Sequence, residues 1–436
     1  MREDADVLVL GAGPAGLGVG LALGERALVV DAAREVGGLA RTLDMDGVLF
    51  DLGGHSFHTP HADVRERVFG ALAMEERTRD AWCWVDGAWI PYPFQKHYER
   101  HPDASTVAAC RSGLAQTSTA GGAANFDAYL DARFGAGLAT TFMKPYNRKL
   151  WGDDLTRMAA AWTRERVAAP AGTAEHFDTR GGRRTPLQDD TTVAYPAEGG
   201  FGAIFVALAR RVPRLSLGRE AIAIDANARR VTMQDGASIH YRHLVSTLPL
   251  PQLLARVADT PAELLDDAGR LEALPVSLVM LALDGRLATP RQRVYVPDPA
   301  FPGHKIVLNA NSSAWLSARA RHGIQVEVSG PSAARFDRDA LAARIVDGLV
   351  ACGVLDDPRR VVATRIVTVP LGYPVPTHAR EGIVARAKRW LHARDIHTIG
   401  RFGEWDYINA DEALHRGLHW EERSAPTREG TACAAT

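Results

Sequence analysis

The sequence predicts an α/β protein in which a Rossmann-like domain is combined with a helical insertion domain and an antiparallel β-sheet domain. Three patterns support this fold class. The first 31 residues read as strand, glycine turn, helix and strand. Residues 61–165 are mainly helical and loop-like in pattern. From residue 218 onward, many segments alternate apolar and polar residues as strands do, with Asp-Gly at 235–236 as a hairpin turn.

The N-terminal strand–helix–strand pattern carries a specific glycine spacing. Gly11, Gly13 and Gly16 form G-x-G-x-x-G between "DVLVL" and the helix "PAGLGVGLALG", and Asp31 closes the strand "ALVVD". Such glycines let the backbone approach a pyrophosphate at a helix N-terminus, and the acid holds a ribose hydroxyl. The motif therefore predicts a dinucleotide-binding site. A tight strand-to-helix turn without a ligand is the alternative.

The order of the elements indicates a nucleotide-binding core that the chain leaves and re-enters. After the helical region, strand-like runs such as "SLVMLALD", "KIVLNAN" and "IQVEVSG" build the sheet domain. The predicted ranges are 1–60, 196–260 and 365–422 for the discontinuous Rossmann-like domain, 61–170 for a mainly helical substrate domain, 171–195 and 261–364 for an antiparallel β-sheet substrate domain, and 423–436 for a flexible tail.

Composition excludes several classes of protein. The chain has 436 residues, 46% of them apolar, and a formal net charge of −1, so a broad electrostatic footprint for nucleic acid is missing. The four cysteines are scattered without a C-x-x-C pair, which argues against a disulfide framework or a structural zinc site. Acidic residues precede the first apolar run, and no segment approaches about 20 unbroken apolar residues. We expect a soluble, cytoplasmic protein without membrane or nucleic-acid partners.

The stretch "VLFDLGGHSFHTPH" combines two glycines with three histidines. Gly53 and Gly54 indicate a tight bend or a close approach to another group. His55, His58 and His61 could ligate a metal, or they could line a pocket beside a cofactor. No cysteine or carboxylate pattern nearby supports the metal interpretation.

A second glycine turn follows Asp31 in "REVGGLART", where Gly37 and Gly38 precede Arg41. Such a turn is typical of two-dinucleotide-binding flavoproteins, in which it packs against FAD, whereas NAD-dependent dehydrogenases do not need it. The sequence therefore favours FAD over NAD as the cofactor. The strand end "FDLGGH" at 50–55 is the next part of the same pattern, with glycines that approach the flavin.

Further blocks narrow the resemblance. They are "PYPFQ" at 91–95, "FMKPYNRKLWG" at 142–152, "AWTRERVAAP" at 161–170, "YPAEGGFGAI" at 195–204, "VYVPD" at 294–298, "GYPVPT" at 372–377 and "GRFGEWDYINADEAL" at 400–414. In this order, over nearly the whole chain, they resemble the UDP-galactopyranose mutase family, most closely its eukaryotic-type members. The glycine loops are shared with amine oxidases and protoporphyrinogen oxidases. "YPFQ", "ERVAAP" and "GRFGEWDY" are the specific part.

The resemblance implies an isomerase that interconverts the pyranose and furanose forms of a nucleotide hexose. In that family reduced FAD acts as a nucleophile, and its N5 attacks the anomeric carbon and displaces the nucleoside diphosphate. The family's flavin-facing loop matches Gly53, Gly54 and His55, and it has other residue types at His58 and His61. The resemblance assigns the other roles as follows: Arg166 and Lys305 to the pyrophosphate, Tyr295, Tyr373 and Tyr407 to phosphate contacts, Tyr92 and Gln95 to the nucleoside pocket, Trp151 to the active-site lining, Arg401 to the vicinity of the flavin, and Asn409 and Asp411 to a helix N-terminus beside the flavin ring.

Three departures from the family pattern concern the substrate. Lys305 stands where the family's second pyrophosphate arginine is expected, and it keeps the charge but loses the two-pronged grip. Arg293 stands where the eukaryotic-type enzymes often have tryptophan. The stretch "RRTPLQDDTT" keeps none of the family's amide-rich pattern, so the base could be guanine as in GDP, and the hexose could also differ. Within this stretch, Asp189 and Asp190 could bring a divalent cation to the diphosphate.

Three functions remain open at this point. The first is the flavin-dependent nucleotide-sugar mutase. The second is a redox flavoenzyme of the amine oxidase or desaturase type, which would not need the diphosphate contacts. The third is a homologue that binds nucleotide sugars without flavin catalysis or isomerises them with a metal. Members of the resembled family range from dimers to tetramers, so a homo-oligomer is compatible with the resemblance.

Overall fold

The structure is a computed structural model that describes residues 2–117, 122–163, 166–170 and 192–421. The strands are β1 Arg2–Leu10, β2 Ala27–Asp31, β3 Thr42–Met45, β4 Val48–Asp51, β5 Met74–Thr78, β6 Ala81–Val85, β7 Ala88–Pro91, β8 Thr192–Pro196, β9 Leu215–Leu217, β10 Ala221–Asp225, β11 Arg230–Met233, β12 Ser238–Ser246, β13 Ala273–Asp284, β14 Arg293–Tyr295, β15 Lys305–Val307, β16 Arg321–Ser329, β17 Val361–Pro374 and β18 Ile396–Thr398. The helices are α1 Pro14–Leu23, α2 Ala62–Phe69, α3 Phe94–His97, α4 Ala104–Ala115, α5 Phe126–Leu138, α6 Lys144–Trp151, α7 Ala203–Ala209, α8 Leu250–Arg256, α9 Ala262–Gly269, α10 Ala314–Ser317, α11 Gly330–Ala333, α12 Arg338–Ala351, α13 Arg380–His392 and α14 Ala410–Leu418. The described helices include none long and apolar enough to cross a lipid bilayer.

The chain divides into two compact units. The first comprises residues 1–38, 205–270 and 382–436. Its sheet has the order β10-β11-β12-β1-β2-β9, and β18 also pairs with β12. β1 runs parallel to both β2 and β12, and Val7, Leu8 and Val9 are fully buried, as a strand covered on both faces must be. The predicted strand–helix–strand unit at the N-terminus is confirmed.

Glycines on α1 allow this helix to lie unusually close to α14 in the first unit. A Cβ on Gly18 would lie 2.5 Å from the Leu414 carbonyl oxygen, and a Cβ on Gly417 would lie 2.0 Å from the Ala15 carbonyl oxygen. These two positions therefore bring backbone against backbone. The pairing places the C-terminal half of α14 against the first turns of α1, next to the glycine motif.

The second unit comprises residues 39–204 and 271–381. Its main sheet has seven strands in the order β17-β13-β16-β15-β14-β6-β7. Val326 and Val328 of β16 pack against α12 in the core on one face of this sheet. On the other face, the β3–β4 hairpin covers Leu278 and Met280 of β13 with Phe50. Polar side chains of the strands project from this second face beside the hairpin.

The strands predicted in the C-terminal half are present, and the Asp-Gly turn at 235–236 joins β11 to β12. The prediction for residues 61–165 was incomplete, since β5, β6 and β7 lie within this range. The missed hairpin β6–β7 turns at Asp86 and Gly87, with φ of 47° and 77°. Positive φ at both central residues is the geometry that an Asp-Gly pair between alternating runs favours, so the signal was in the sequence.

The compact units differ from the predicted domains in two respects. Residues 39–60, 196–204 and 365–381 belong to the second unit and not to the Rossmann-like one, and residues 261–270 belong to the first unit and not to the predicted sheet domain. The predicted helical and sheet domains form a single unit, because segments of both contribute strands to one sheet: β6 pairs with β14. Residues 422–436, which include the predicted tail, lie outside the described residues.

Candidate functional site

In the first unit, the turn between β1 and α1 can be formed only by glycines. Gly11 has φ of 111°, and its N–H donates to the Val30 carbonyl at 2.7 Å. A Cβ on Gly16 would lie 1.8 Å from the Gly11 carbonyl oxygen. At the N-cap of α1, Gly13 provides no side-chain cap to the helix start. The start of α1 is thus open for an anionic group, as phosphate binding at a helix N-terminus requires.

Asp31 connects the glycine turn to the second strand. Its Oδ2 accepts the Ala12 N–H at 2.6 Å and its Oδ1 accepts the Ala33 N–H at 2.7 Å. An ionised carboxylate has about four acceptor positions, so it can also accept from ribose hydroxyls. Gly38 has φ of 54°, and a Cβ there would lie 3.3 Å from the Gly13 Cα. Two glycine turns and an acid therefore form a cradle that any side chain would fill, and these residues fit the adenosine-diphosphate part of a dinucleotide.

The predicted cofactor residues near the C-terminus lie in one loop of the same unit. Arg401 donates to the Ile408 carbonyl at 2.6 Å, and its guanidinium lies 4.7 Å from the centre of the Tyr407 ring. The predicted helix N-terminus is confirmed, since Asn409 is the N-cap of α14 and Asp411 lies buried in its first turn. The loop thus carries a cation and an aromatic hydroxyl at the start of a helix.

An ion-pair cluster that the sequence did not reveal fixes this loop. Arg416 of α14 is 2.8 Å from both Glu404 and Asp406, and 2.7 Å from Glu412. Glu404 is buried and also pairs with Lys388 at 2.9 Å. Burial raises the pKa of Glu404, but Arg416 and Lys388 outweigh this effect and lower it. The loop "GRFGEW" is therefore held by charges from two helices.

In the second unit, the centre of the polar sheet face is Glu327 on β16, only 2% exposed. It accepts the Gly54 N–H at 2.5 Å and the Tyr373 hydroxyl at 3.0 Å, and it pairs with Lys305 at 3.3 Å. His304 Nε2 lies 3.4 Å away. Burial alone would raise the pKa of Glu327, but the charge of Lys305 and the contact with His304 hold it well below its usual range. Glu327 is thus a buried carboxylate that four groups stabilise in its ionised form.

Lys305, predicted as a pyrophosphate-binding cation, lies against Glu327 and the glycine–histidine loop. Its ammonium donates to the Gly54 carbonyl at 3.1 Å and pairs with Glu327, so its charge is balanced within the protein. His304 is 1% exposed, and burial lowers its pKa, which keeps the imidazole neutral at pH 7. Tyr373, predicted as a phosphate contact, also donates to Glu327. The structure brings Lys305 and Tyr373 together around a carboxylate that the sequence had not singled out.

The glycine–histidine loop is anchored by a second buried carboxylate, Asp51. It accepts from Thr42 Oγ1 at 2.6 Å, Tyr195 OH at 2.7 Å, Asn309 Nδ2 at 2.8 Å and the Phe201 N–H at 2.9 Å. Burial raises its pKa, against the lowering effect of these hydrogen bonds. Asp51, at the end of β4, therefore joins β3, β8 and the segments that contain Phe201 and Asn309, just before Gly53 and Gly54. Arg41 lies at the start of β3, and its carbonyl accepts the Leu52 N–H at 2.9 Å.

The three histidines of this loop have separate surroundings. The His55 ring stacks on Phe201 with a centroid distance of 4.8 Å and an interplanar angle of 14°. His58 Nδ1 lies 3.3 Å from the Ser56 carbonyl, and His61 precedes α2 as its N-cap. Among the described residues, these three histidines do not converge as a ligand group. Stacking on Phe201 therefore fixes the orientation of the His55 ring.

Aromatic residues line the same side of the second unit. Tyr92 and Tyr295 stack at 4.2 Å with an interplanar angle of 19°. Trp151 is fully buried, and its ring lies 5.8 Å from that of Tyr373. Burial raises the pKa of Tyr92 well above its usual value, so its hydroxyl stays protonated at physiological pH. Four of the predicted substrate-binding residues are therefore arranged as two aromatic pairs.

Gln95 and Arg166 have different surroundings. Gln95 is 1% exposed, and its amide donates to the Ala168 carbonyl at 3.2 Å, so it holds the segment that follows Arg166. Arg166 is half-buried, and its backbone N–H donates to the Thr163 carbonyl at 3.0 Å. The predicted metal candidates, Asp189 and Asp190, lie outside the described residues.

Arg293 is a functional candidate that the sequence marked only as a departure. It lies on β14, is 7% exposed, and donates to the Gln292 carbonyl at 2.7 Å and to the His55 carbonyl at 2.6 Å. A charged residue two positions before a stacked tyrosine was the available signal. The hydrogen bond from Arg293 to the His55 carbonyl places its guanidinium directly beside the glycine–histidine loop.

Comparison with known proteins agrees with these features. A family model described as flavin containing amine oxidoreductase matches residues 21–377. The chain is similar to the crystal structure of reduced UDP-galactopyranose mutase, with 26% identity, a TM-score of 0.86, and coverage of 96% of this chain and 93% of that one. It shares its fold with putrescine oxidase bound to putrescine (15% identity, TM-score 0.68, coverage 97% and 99%) and with a CLA-producing fatty acid isomerase from P. acnes (13% identity, TM-score 0.64, coverage 96% and 98%). The predicted fold class and the resemblance to UDP-galactopyranose mutase are confirmed.

Proposed function

The chain belongs to the flavin containing amine oxidoreductase family, its cofactor is FAD, and on this basis we propose that it is a nucleotide-sugar mutase. The proposed reaction interconverts the pyranose and furanose forms of a UDP- or GDP-hexose. The observation that carries the proposal is the likeness to UDP-galactopyranose mutase over 96% of the chain at 26% identity. Putrescine oxidase, which has the same fold, shares only 15% sequence identity with the chain.

The cradle in the first unit supports the cofactor assignment. Gly11, Gly13 and Gly38 leave room for a diphosphate, and Asp31 can accept from a ribose. Reduced FAD, when bound, supplies the nucleophile for the anomeric carbon. Arg401 is the cation that we assign to the flavin in its anionic reduced form.

The remaining work of the reaction falls to residues that bind the leaving diphosphate and the sugar. A departing diphosphate needs fixed cations and hydroxyl donors. We assign Arg166 and Tyr295 to this task, and Tyr92 to the nucleoside. The hydroxyl of Tyr92 is protonated at neutral pH, as that of any tyrosine with an ordinary or raised pKa is, and can donate to a base or ribose.

The aromatic pairs support a site from which water is excluded. The Tyr92–Tyr295 stack and the contact between Trp151 and Tyr373 place rigid rings beside the polar sheet face. Excluding water strengthens the contacts to the diphosphate and prevents hydrolysis of the sugar after the diphosphate has left.

The proposal is tested on purified holoprotein with its bound flavin. The protein is reduced with dithionite under anaerobic conditions and incubated with UDP-galactose and a panel of GDP-hexoses, and nucleotide sugars are separated by chromatography. We expect one substrate to give an isomer of unchanged mass. Reduction of the oxidised flavin by amines, without isomerisation of any nucleotide sugar, would instead establish an oxidase.

The variant Arg166→Ala tests the diphosphate contact. Loss of a charge-assisted hydrogen bond to the diphosphate should raise the activation free energy by about 2 kcal/mol or more, which lowers kcat/KM roughly 30-fold or more. Arg148→Ala is the matched control, because its guanidinium is half-exposed and 3.9 Å from Asp127 on the surface. An unchanged kcat/KM in Arg166→Ala would remove Arg166 from the site.

A further inference from the structure

The charges on the polar sheet face are not equally compensated. Lys305 is paired with Glu327 and bound to the Gly54 carbonyl. Arg293, in contrast, makes two hydrogen bonds, both to backbone carbonyls, and forms no ion pair within 4.0 Å among the described residues. A guanidinium carries five N–H donors, and these two hydrogen bonds use only two of them.

Arg293 shares a sheet face with the residues that surround Glu327. In the β14–β15 pairing, Arg293 is opposite Val307 and Tyr295 is opposite Lys305. Val294, between the two, packs into the opposite core with α12. Alternation along the strand therefore puts Arg293 on the side of Tyr295 and Lys305. Its hydrogen bond to the His55 carbonyl locates the guanidinium at the glycine–histidine loop.

The two carboxylates near Arg293, Asp51 and Glu327, form their hydrogen bonds and ion pairs with other groups. Asp51 and Glu327 both attract its charge. Asp51, however, already accepts four hydrogen bonds, and Glu327 is paired with Lys305. Burial lowers the pKa of Arg293, but a guanidinium remains charged in proteins. A buried, charged fork without a carboxylate partner is costly in the ligand-free protein and favours an anionic oxygen that can occupy it.

We propose that Arg293 is the anion-binding residue of this site and takes the role expected of Lys305. Its ligand is an anionic oxygen that accepts two parallel N–H groups. Such an oxygen is supplied either by the diphosphate of a nucleotide sugar or by the anionic ring of reduced flavin. The diphosphate case rests on the proposed function, whereas the flavin case requires only that FAD is bound.

The test uses holoprotein carrying Arg293→Met, which keeps the length of the side chain and removes the charge. Arg291→Met is the matched control, since Arg291 lies 3.8 Å over the Trp89 ring on the same segment and has no assigned part in the site. Two quantities are measured in each protein: the Kd of UDP and GDP by calorimetry, and the midpoint potential of the flavin by spectroelectrochemistry.

In Arg293→Met we expect either the Kd of a nucleotide to rise at least tenfold or the flavin midpoint potential to shift by the equivalent amount. In Arg291→Met we expect neither to change. Weaker nucleotide binding alone identifies the diphosphate as the anion. A midpoint potential more negative by about 30 mV or more, equivalent to a tenfold loss for a two-electron couple, identifies the reduced flavin. Wild-type Kd and potential in Arg293→Met would overturn the proposal.

Failure of this proposal is distinguishable from failure of the proposed function. If wild-type protein isomerises a nucleotide sugar while Arg293→Met matches it in both measurements, only the role of Arg293 is wrong. If wild-type protein binds no nucleotide but the potential shifts in the variant, only the mutase function is wrong. Should Arg293→Met not fold, Arg293→Lys keeps the charge without the fork. Arg293→Lys should raise the nucleotide Kd at least threefold or shift the flavin midpoint potential by the equivalent amount. A Kd and a potential equal to those of the wild type would overturn the proposal.

Discussion

The Lys305–Glu327 pair offers a quantitative test of the polar sheet face. In Glu327→Gln, the side chain keeps its shape but leaves the Lys305 ammonium, 16% exposed, without a counter-charge. Removing one partner of a buried pair costs about 3–5 kcal/mol. Because Lys305 retains some exposure and the Gly54 carbonyl, we expect the lower end, about 3 kcal/mol. At roughly 2 °C per kcal/mol for a chain of this size, the melting temperature should fall by about 6 °C.

The measurement is thermal unfolding at pH 7, followed by circular dichroism, of four proteins in a double-mutant cycle. Lys305→Met combined with Glu327→Gln removes both charges, so the double variant should be more stable than Glu327→Gln alone. Glu76→Gln is the control for an exposed ion pair: Glu76 lies 2.8 Å from Arg65 and is 43% exposed, so its loss should cost about 0.5 kcal/mol or less. If Glu327→Gln melts with the wild type, or if the double variant is less stable than Glu327→Gln, the two charges are not coupled as described.

Two further predictions concern the cofactor cradle and a buried lysine. Gly16→Ala should purify with little FAD, measured by its absorbance, because its Cβ would lie 1.8 Å from the Gly11 carbonyl oxygen; Gly269→Ala, with no atom within 4 Å, should retain full FAD content. Lys149 is buried and donates to two backbone carbonyls. Burial lowers its pKa to about 7. Between about pH 7 and pH 10, the unfolded chain therefore binds a proton at Lys149 that the folded chain does not. The stability of the wild type relative to Lys149→Met should therefore rise with pH, by up to about 1.4 kcal/mol per unit, and a difference in melting temperature that is constant from pH 7 to pH 9 would contradict this.

Local sequence signals predicted the first unit well. Gly11, Gly16 and Asp31 are constrained by a single turn, and the reasons for their identity lie within about 20 residues of one another. Such constraints can be read without knowledge of the rest of the fold. The start of α14 at Asn409 was accessible in the same way.

The second unit could be predicted only in outline, because its site depends on contacts between residues far apart in the chain. Glu327 lies 273 positions from Gly54 and 46 from Tyr373. No spacing rule relates these positions, and the alternation of β16 marks Glu327 only as a charge at a buried position. Lys305 was recognised as a cation from the resemblance, but its partner follows from sheet register, which pairs it with Glu327.

The compact units differ from the predicted domain ranges for a related reason. The β3–β4 hairpin follows the Rossmann-like strands in sequence, but its apolar face belongs to the core with Leu278 and Met280. Which sheet such a hairpin covers is decided by packing and not by its place in the chain.

We propose that the bound flavin takes part in an isomerisation without net oxidation. The most direct measurement follows the flavin absorbance and the nucleotide-sugar products together, in pre-reduced holoprotein under anaerobic conditions. We predict many equivalents of furanose product per enzyme while the flavin remains reduced, and no product from the oxidised protein. Product formation that is stoichiometric with a change in flavin redox state would contradict the account and identify an oxidoreductase.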